Sequence, residues 1–255
     1  MTRSRVKWVA PILTVAAVLA LWQAVCSFGL VPSFMLPSPV QVAQAIVGDF
    51  GLLMSHAWVT LAEALAGLAL GVAFGFLIAM GMDRFRTMDA ALSPLVTISQ
   101  TIPTVAIAPL LVLWLGYGMM PKVLLVALTT FFPITVSLAQ GFRSVDPDTV
   151  DLMRVMGASW WQTFRLVKVP AAAGHFFSGL RISATYAVVG AVVAEWLGGF
   201  EGLGVYMTRV RKSYSYDQMF AVIIIISALS LALMGAVKLL ERACMPWRRA
   251  VKEKK

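Results

Sequence analysis

The sequence DPDTVDLMRVMGASWWQTFRLVKVP, residues 146–170, is the longest stretch of this chain that is too polar to lie in a bilayer, and apolar stretches flank it on both sides. Its pattern predicts two short helices that meet at Gly157. Asp146 is a favourable N-cap, and Pro147 suits the first helical position. Glycine readily adopts the positive φ that ends a helix, so we expect the first helix to end at Gly157.

The second helix of this segment is expected to start after Ser159, because Ser159 and Gln162 have the spacing of a capping box. We expect Pro170 to end it, since proline lacks the N–H that continues a helix. Three apolar residues share one face of the first helix: Leu152, Val155 and Met156. A compact helix pair with an apolar face, held between membrane spans, is typical of a docking site for another protein.

The composition of the whole chain predicts an integral membrane protein. Of its 255 residues, 60% are hydrophobic and only 13% are charged, and the mean hydropathy is +0.83. Soluble domains carry about 25% charged residues. The apolar residues occur in runs of about 20, the length that crosses about 30 Å of hydrocarbon. The two cysteines, Cys26 and Cys244, are expected on opposite sides of the membrane, so neither a disulfide framework nor a metal cluster is predicted.

We predict an all-α membrane protein with six transmembrane helices, at about residues 8–27, 58–81, 91–115, 122–141, 174–198 and 219–240. Residues 1–57 would contain the first span, retained rather than cleaved, and a short helix along the outer interface that Ser38 and Pro39 begin. Residues 58–241 would form a core of five spans with the polar segment 143–170. Residues 242–255 would form a basic tail.

The second predicted span carries small residues at every fourth position, Gly67, Gly71 and Gly75, continued by Glu63 at one end and Ala79 at the other. Such a stripe allows two helix backbones to approach closely within lipid. The pattern is compatible with a contact between helices of one chain and with a contact between subunits.

The third predicted span contains three prolines, Pro94, Pro103 and Pro109, and is expected to be broken by them. Because prolines free backbone carbonyls that must face protein or water, Pro103 and Thr104 are candidates for the border of a solute path. A simple kink is the alternative. Glu195, at the end of the fifth span, is either a path residue or an interfacial one, and its position favours the interface.

The charges fix an orientation. With both termini in the cytoplasm, the inner segments hold sixteen of the 21 Lys and Arg residues and the outer segments hold four. The polar segment 146–170 is then cytoplasmic. The net charge of +9 follows from this topology, so no nucleic-acid partner is predicted.

Other functions are excluded or disfavoured by missing motifs. The chain lacks the glycine-rich loop G-x-x-x-x-G-K-[ST], so it is not expected to hydrolyse ATP. Its two histidines, His56 and His175, belong to no metal or catalytic motif and are expected at the interface. An ion-coupled transporter is the alternative, since Glu63, Arg181 and Glu195 form a sparse series of charges, but no internal repeat accompanies them.

The polar segment resembles the coupling motif of ABC importer permeases, in which Glu-Ala-Ala precedes a glycine by three residues and Ile-x-Leu-Pro follows nine residues later. Here Asp151, Leu152 and Met153 take the place of Glu-Ala-Ala, Gly157 is the glycine, and residues 167–170 are Val-Lys-Val-Pro. Aspartate keeps the charge, whereas Leu and Met replace two alanines. The resemblance implies that the ATPase-coupling residues are Asp151, Leu152, Met153, Gly157, Val167 and Pro170.

Two further stretches narrow the resemblance. Residues 35–46, MLPSPVQVAQAI, resemble the nitrate, sulfonate and taurine permease family, and residues 195–213 resemble its branch that imports pyrimidine precursors of thiamine. The family implies a MetI-like permease fold of six spans with a cytoplasmic coupling helix, used as a homodimer in the cell inner membrane. It also implies two ATPase subunits, which bind ATP and Mg while this chain has no cofactor, and an extracytoplasmic binding protein. The solute would be a thiamine precursor, or otherwise nitrate, a sulfonate, taurine or a riboflavin-like compound.

Overall fold

The computed structural model describes residues 2–32, 34–99 and 101–246, with the side chains of residues 2–9 and 11 left aside. The described residues form helices joined by short turns. These helices are α1 (Thr2–Ser27), α2 (Pro39–Gly48), α3 (Phe50–Arg84), α4 (Arg86–Ser99), α5 (Thr104–Leu115), α6 (Met119–Arg143), α7 (Pro147–Val155), α8 (Trp160–Thr163), α9 (Val169–Gly198), α10 (Leu203–Lys212) and α11 (Tyr216–Cys244). Most of the predicted basic tail, from residue 247, lies outside the described residues.

Four described helices are long and apolar enough to cross a membrane: α3, α6, the continuous helix Trp160–Gly198 and α11. The pair α4 and α5 makes a fifth span if the two helices are taken together. The apolar part of α1, Ile12–Ser27, is shorter. The all-helical membrane fold is therefore confirmed. The count of six spans is compatible with the structure and stays a prediction.

The centre of the bundle is the contact of α6 with α3 on one side and with α9 on the other. The glycine stripe of α3 lies directly on α6: a Cβ atom at Gly75 would lie 2.8 Å from Ile134 Cγ2, and one at Gly67 would overlap Val126. On the other side, a Cβ atom at Gly179 of α9 would lie 2.8 Å from the Pro133 carbonyl oxygen. Glycine thus lets three helix backbones approach more closely than side chains would allow.

The predicted third span differs from the structure. Pro94 lies inside α4 and Pro109 inside α5, so neither breaks its helix. The break falls between α4 and α5, which meet at an angle of 99°, and Pro103 is the N-cap of α5. A proline costs a helix one hydrogen bond, and a neighbouring helix can offset that loss within a bundle. Only Pro103, which starts the second helix, coincides with the change in direction.

The expectation that Pro170 ends a helix is wrong. The chain stays helical from Trp160 to Gly198. A π turn, Phe164–Lys168, precedes the proline, and the Val169 N–H donates to the Phe164 carbonyl five residues back. Pro170 then lies in the first turn of α9, where a missing N–H is tolerated. The wider turn therefore carries the helix past the proline.

Candidate functional site

The segment between α6 and α9 folds as its local sequence predicts. The Asp146 carboxylate accepts a hydrogen bond from the Asp148 N–H at 3.1 Å and caps α7. Gly157 has φ of +79° and ends the helix. Its N–H donates to the Arg154 carbonyl at 3.0 Å, and the Ala158 N–H donates to the Met153 carbonyl at 2.9 Å. These two bonds form a Schellman motif, the arrangement in which a glycine of positive φ closes a helix.

α7 contains no buried residue. The side chains of Leu152, Val155 and Met156 are 59%, 85% and 74% exposed, and we call this surface the apolar face of α7. Beside it, Arg154 and Asp151 form an exposed ion pair at 3.1 Å. Apolar surface exposed on a polar segment between spans is typical of a surface that contacts another protein.

The helix that follows this turn is firmly anchored in the bundle. Ser159 and Gln162 form both hydrogen bonds of the predicted capping box, at 3.3 and 2.7 Å. The ring of Phe164 is fully buried, and it stacks on Trp160 with a centroid distance of 5.0 Å. Phe142 of α6 packs on the same ring at 5.2 Å. A large aromatic contact of this kind holds the start of the long helix against α6.

The same segment is tied to the end of α3. Lys168 in the π turn forms an ion pair with Asp83 at 2.6 Å, and both side chains are mostly buried. The Arg84 guanidinium lies 5.2 Å from the centre of a Trp160 ring, within the range of a cation–π contact. The helix that follows α7 is therefore in direct contact with the end of α3 as well as continuous with α9.

The structure gathers four of the predicted coupling residues, Asp151, Leu152, Met153 and Gly157, in α7 and its closing turn. Asp151, Leu152 and Gly157 are exposed, whereas Met153 is half-buried. The other two predicted residues lie on the continuing helix: Val167 in the π turn and Pro170 in the first turn of α9.

A second polar site lies at the opposite end of α9, which we call the far end of the bundle. Lys122 of α6 and Glu63 of α3 form an ion pair at 2.6 Å with both side chains buried. Glu195 is 1% exposed and accepts a hydrogen bond from the Thr60 hydroxyl at 2.7 Å. The Glu195 carboxylate is thus enclosed between α3 and α10, and its position at the membrane interface stays a prediction.

His56 is also buried within the protein, and its Nδ1 accepts a hydrogen bond from the Gly202 N–H at 3.0 Å. Hydropathy does not predict that Glu195 and His56 are buried within the protein, because each residue lies near the end of an apolar run. The signal that was available is Glu63, which continues the glycine stripe of α3 and therefore faces α6, where Lys122 lies.

The three candidates for the solute path do not lie together. Pro103 is exposed and Thr104 half-buried at the start of α5. It is the other end of α5 that meets α9, since a Cβ atom at Gly198 would contact Val112 at 2.8 Å. Nine residues, about 14 Å of helix, thus separate Pro103 from Val112, where α5 meets the end of α9. Among the described residues, no group of three or more His, Cys, Asp or Glu side chains is placed to hold a metal ion.

Comparison with known proteins agrees with this architecture. The permease MetI-like fold is shared with a solved structure of the MetNI methionine ABC transporter in inward-facing conformations, at a TM-score of 0.66 and 19% identity, over 77% of this chain and 97% of that one. A probable ABC transporter permease protein of Haemophilus influenzae is 40% identical over 90% of this chain and 94% of its own length. The formylaminopyrimidine transport permease protein ThiX of Halalkalibacterium halodurans is 39% identical over 85% and 87%.

Residues 71–245 match the model of one protein family, described as "Binding-protein-dependent transport system inner membrane component". The match covers the helices from the glycine stripe of α3 to the end of α11, and with them the apolar face of α7. The chain belongs to this family of ABC importer permeases, in its nitrate, sulfonate and taurine branch.

Proposed function

We propose that two copies of this chain form the membrane path of an ATP-driven importer, and that an ATPase subunit docks on the apolar face of α7 of each copy. The observation that carries the proposal is the exposure of Leu152, Val155 and Met156 on a helix without buried residues. The exposed pair of Asp151 and Arg154 lies beside this face and would fix the orientation of the docked protein.

The connections of α7 support a mechanical role. A docked ATPase that closes on ATP and Mg would displace α7, and the Gly157 turn leads directly into the helix anchored by Phe164. The ion pair of Lys168 and Asp83 extends the connection to α3. The permease halves would then rotate as rigid bodies between inward and outward openings. In this scheme ATP is hydrolysed by the partner, and this chain supplies the path.

The scheme requires an orientation. We place α7 and both termini in the cytoplasm of the cell, because the excess of Lys and Arg lies on that side. The far end of the bundle, with α10, then faces outward, where an extracytoplasmic binding protein delivers the solute. Reactivity of single cysteines at Val155 and at Ser213 towards an impermeant reagent, in cells and in inverted vesicles, tests this orientation.

The solute we propose is a pyrimidine precursor of thiamine. Its support is the resemblance of residues 195–213 to that branch, together with the 39% identity to a formylaminopyrimidine permease. Uptake of labelled formylaminopyrimidine by the reconstituted importer, compared with taurine, nitrate and riboflavin, tests the assignment. Uptake of one of the others alone would overturn the substrate and leave the permease role intact.

The geometry does not favour an ion-coupled transporter. Glu63 is paired with Lys122, and Glu195 is bonded to Thr60. Arg181 lies fourteen residues from Glu195 along α9, about 21 Å of helix, and its ion-pair partner is Glu241 at 3.6 Å. Glu63, Lys122 and Glu195 therefore lie in one buried group at the far end of the bundle, and Arg181 stands apart from it, so these charges do not continue along α9 as a path for an ion.

The docking proposal is tested by Val155→Ser. Val155 is 85% exposed, so the variant should fold normally. Losing an apolar contact at the centre of an interface costs about 2 kcal/mol of binding free energy, which weakens ATPase binding by about 30-fold. Co-purification with the ATPase measures the effect. Val47→Ser is the matched control, since Val47 on α2 is similarly exposed, at 77%. Equal ATPase binding by both variants and the wild type would overturn the docking site.

A further inference from the structure

The start of α10 is held by an unusual set of hydrogen bonds. Three consecutive backbone N–H groups donate to side chains of other helices: Gly202 to His56 Nδ1 at 3.0 Å, Leu203 to Thr60 Oγ1 at 2.9 Å, and Gly204 to Glu195 Oε2 at 2.5 Å. His56 and Thr60 belong to α3, and Glu195 belongs to α9. We call these three side chains with their three N–H donors the far-end clasp.

The clasp replaces a cap that α10 lacks. The first N–H groups of a helix have no partner within the helix and are usually satisfied by the side chain of the N-cap residue. In α10 the N-cap is Gly202, which has no side chain to offer. Thr60 and Glu195 act as caps from a distance, and the Glu195 carboxylate faces the positive end of the helix dipole.

The two glycines at the start of α10 lie in direct contact with Glu195. Gly202 has φ of +120°, and a Cβ atom at this position would overlap the Glu195 carboxyl group. A Cβ atom at Gly204 would overlap the Val192 carbonyl oxygen and lie 2.9 Å from Glu195 Oε2. The turn therefore requires glycine, because the Glu195 carboxyl group and the backbone of α9 occupy the space that side chains would take. A helix of ten residues is too short to be stable alone, so α10 depends for its position on the clasp and on the buried side chains of Leu203, Tyr206 and Val210.

The geometry points to His56, Thr60 and Glu195 as positioning residues of transport. They hold α10 and its flanking turns, which we call the α10 segment, against α3 and α9, so that the α10 segment moves with these two helices as one body. The inference rests on the proposed function in one respect, namely that α3 and α9 receive the displacement of α7. The clasp and the α7 contacts lie at opposite ends of the same two helices. A displacement of α3 and α9 at their α7 end would thus move the α10 segment at their other end.

Thr60 offers the sharpest variants. Thr60→Val keeps the shape of the side chain but removes the hydroxyl, which leaves the Leu203 N–H without its acceptor and Glu195 without one donor. Thr60→Ser keeps the hydroxyl and should retain the clasp. Glu201→Gln is a control for a substitution in the same turn that leaves the clasp intact, because Glu201 is exposed there.

The test is hydrogen exchange of the full-length chain in lipid nanodiscs, followed by mass spectrometry. In Thr60→Val, the amides of residues 202–212 should exchange about 5- to 150-fold faster, the range expected when a buried polar group loses its partner. Amides of α6 near Val126 should not change, and Thr60→Ser and Glu201→Gln should match the wild type. Unchanged exchange in Thr60→Val overturns the inference. Equally fast exchange in α6 also overturns it, because the clasp would then be an ordinary part of the core.

A second measurement addresses movement. In the complete importer with its ATPase and binding protein, the amount of solute transported per ATP hydrolysed should fall severalfold in Thr60→Val and recover in Thr60→Ser. If Thr60→Val exchanges faster in the α10 segment but transports as much solute per ATP as the wild type, the role in transport is overturned. Failure of ATPase docking at α7 would be seen separately, since the exchange experiment uses neither ATPase nor solute.

Discussion

Gly71→Ala is the substitution whose effect can be worked out most directly from the helix packing. The added methyl group would lie closer than 3.0 Å to Thr130 Oγ1, 3.0 Å from the Ala127 carbonyl oxygen and 3.1 Å from the Phe131 nitrogen. Thr130 is fully buried, and its hydroxyl donates to the carbonyl of Val126 at 2.8 Å, so it cannot turn away without losing that bond. The other two atoms belong to the backbone. α3 and α6 must therefore move apart.

Overpacking of this kind costs about 1–3 kcal/mol, and the better helix propensity of alanine returns at most about 1 kcal/mol. With about 2 kcal/mol for the overpacking, the net loss is about 1–2 kcal/mol, and we expect the melting temperature of the purified protein to fall by about 2–8 °C, since each kcal/mol corresponds to about 2–4 °C in a chain of this size. Gly235→Ala is the matched control. A Cβ atom at Gly235 meets no other atom within 4 Å, so this variant should be as stable as the wild type or more stable.

Thermal denaturation of both variants in the same detergent measures the difference, and size-exclusion chromatography reports the oligomeric state. The reasoning would be refuted if Gly71→Ala melted like the wild type. If that variant only dissociated a dimer, the glycine stripe would serve a subunit contact, the alternative that the sequence pattern leaves open.

Three further expectations follow from single contacts. Lys122→Met leaves the buried Glu63 carboxylate unpaired and should lower the free energy of unfolding by about 3–5 kcal/mol, measured by denaturation. The double variant with Glu63→Gln removes both charges, so its free energy of unfolding should be closer to that of the wild type. Phe164→Ala removes a fully buried ring between α6 and the π turn and should cost about 3–5 kcal/mol, measured in the same way. Burial, with a contribution from the Asp49 carboxylate, raises the pKa of Tyr206 from 10.0 to about 12. The folded protein therefore keeps a proton that the unfolded chain loses, so stability should decline as the pH rises from 10 towards 12, and less steeply in Tyr206→Phe when melting is followed across that range.

Much of the local structure is predictable because it depends on neighbouring residues. Asp146, Gly157 and the pair of Ser159 and Gln162 act within one helical turn, and the structure has the caps that their chemistry predicts. The apolar runs likewise define the spans, since burial in lipid requires long uninterrupted apolar helices. Pro170 is the exception, because a π turn upstream, which the sequence does not signal, lets the helix continue.

The far end of the bundle was not predictable in the same way. Thr60 and Glu195 are 135 residues apart in the chain, and the Leu203 N–H meets Thr60 across 143 residues. Glu195 and His56 are each predicted to be interfacial when their own helix is considered alone. Only the packing of α3 against α9 and α10 reveals that these groups satisfy one another within a buried site.

The contact between α3 and α6 nevertheless has a regular spacing that includes an ion pair as well as the glycines. Gly67 meets Val126, Gly71 meets Thr130 and Gly75 meets Ile134, and in each pair the residues are 59 positions apart, as are Glu63 and Lys122. The two helices therefore run in the same direction in a fixed register, and the ion pair is its first step. Small residues at every fourth position would permit a slip of one turn, about 5.4 Å, with little change in shape. Such a slip would place Lys122 opposite Gly67 and leave Glu63 unpaired in an apolar environment, at a cost of several kcal/mol. The glycines make the close approach possible, and the ion pair selects one register among those the glycines allow.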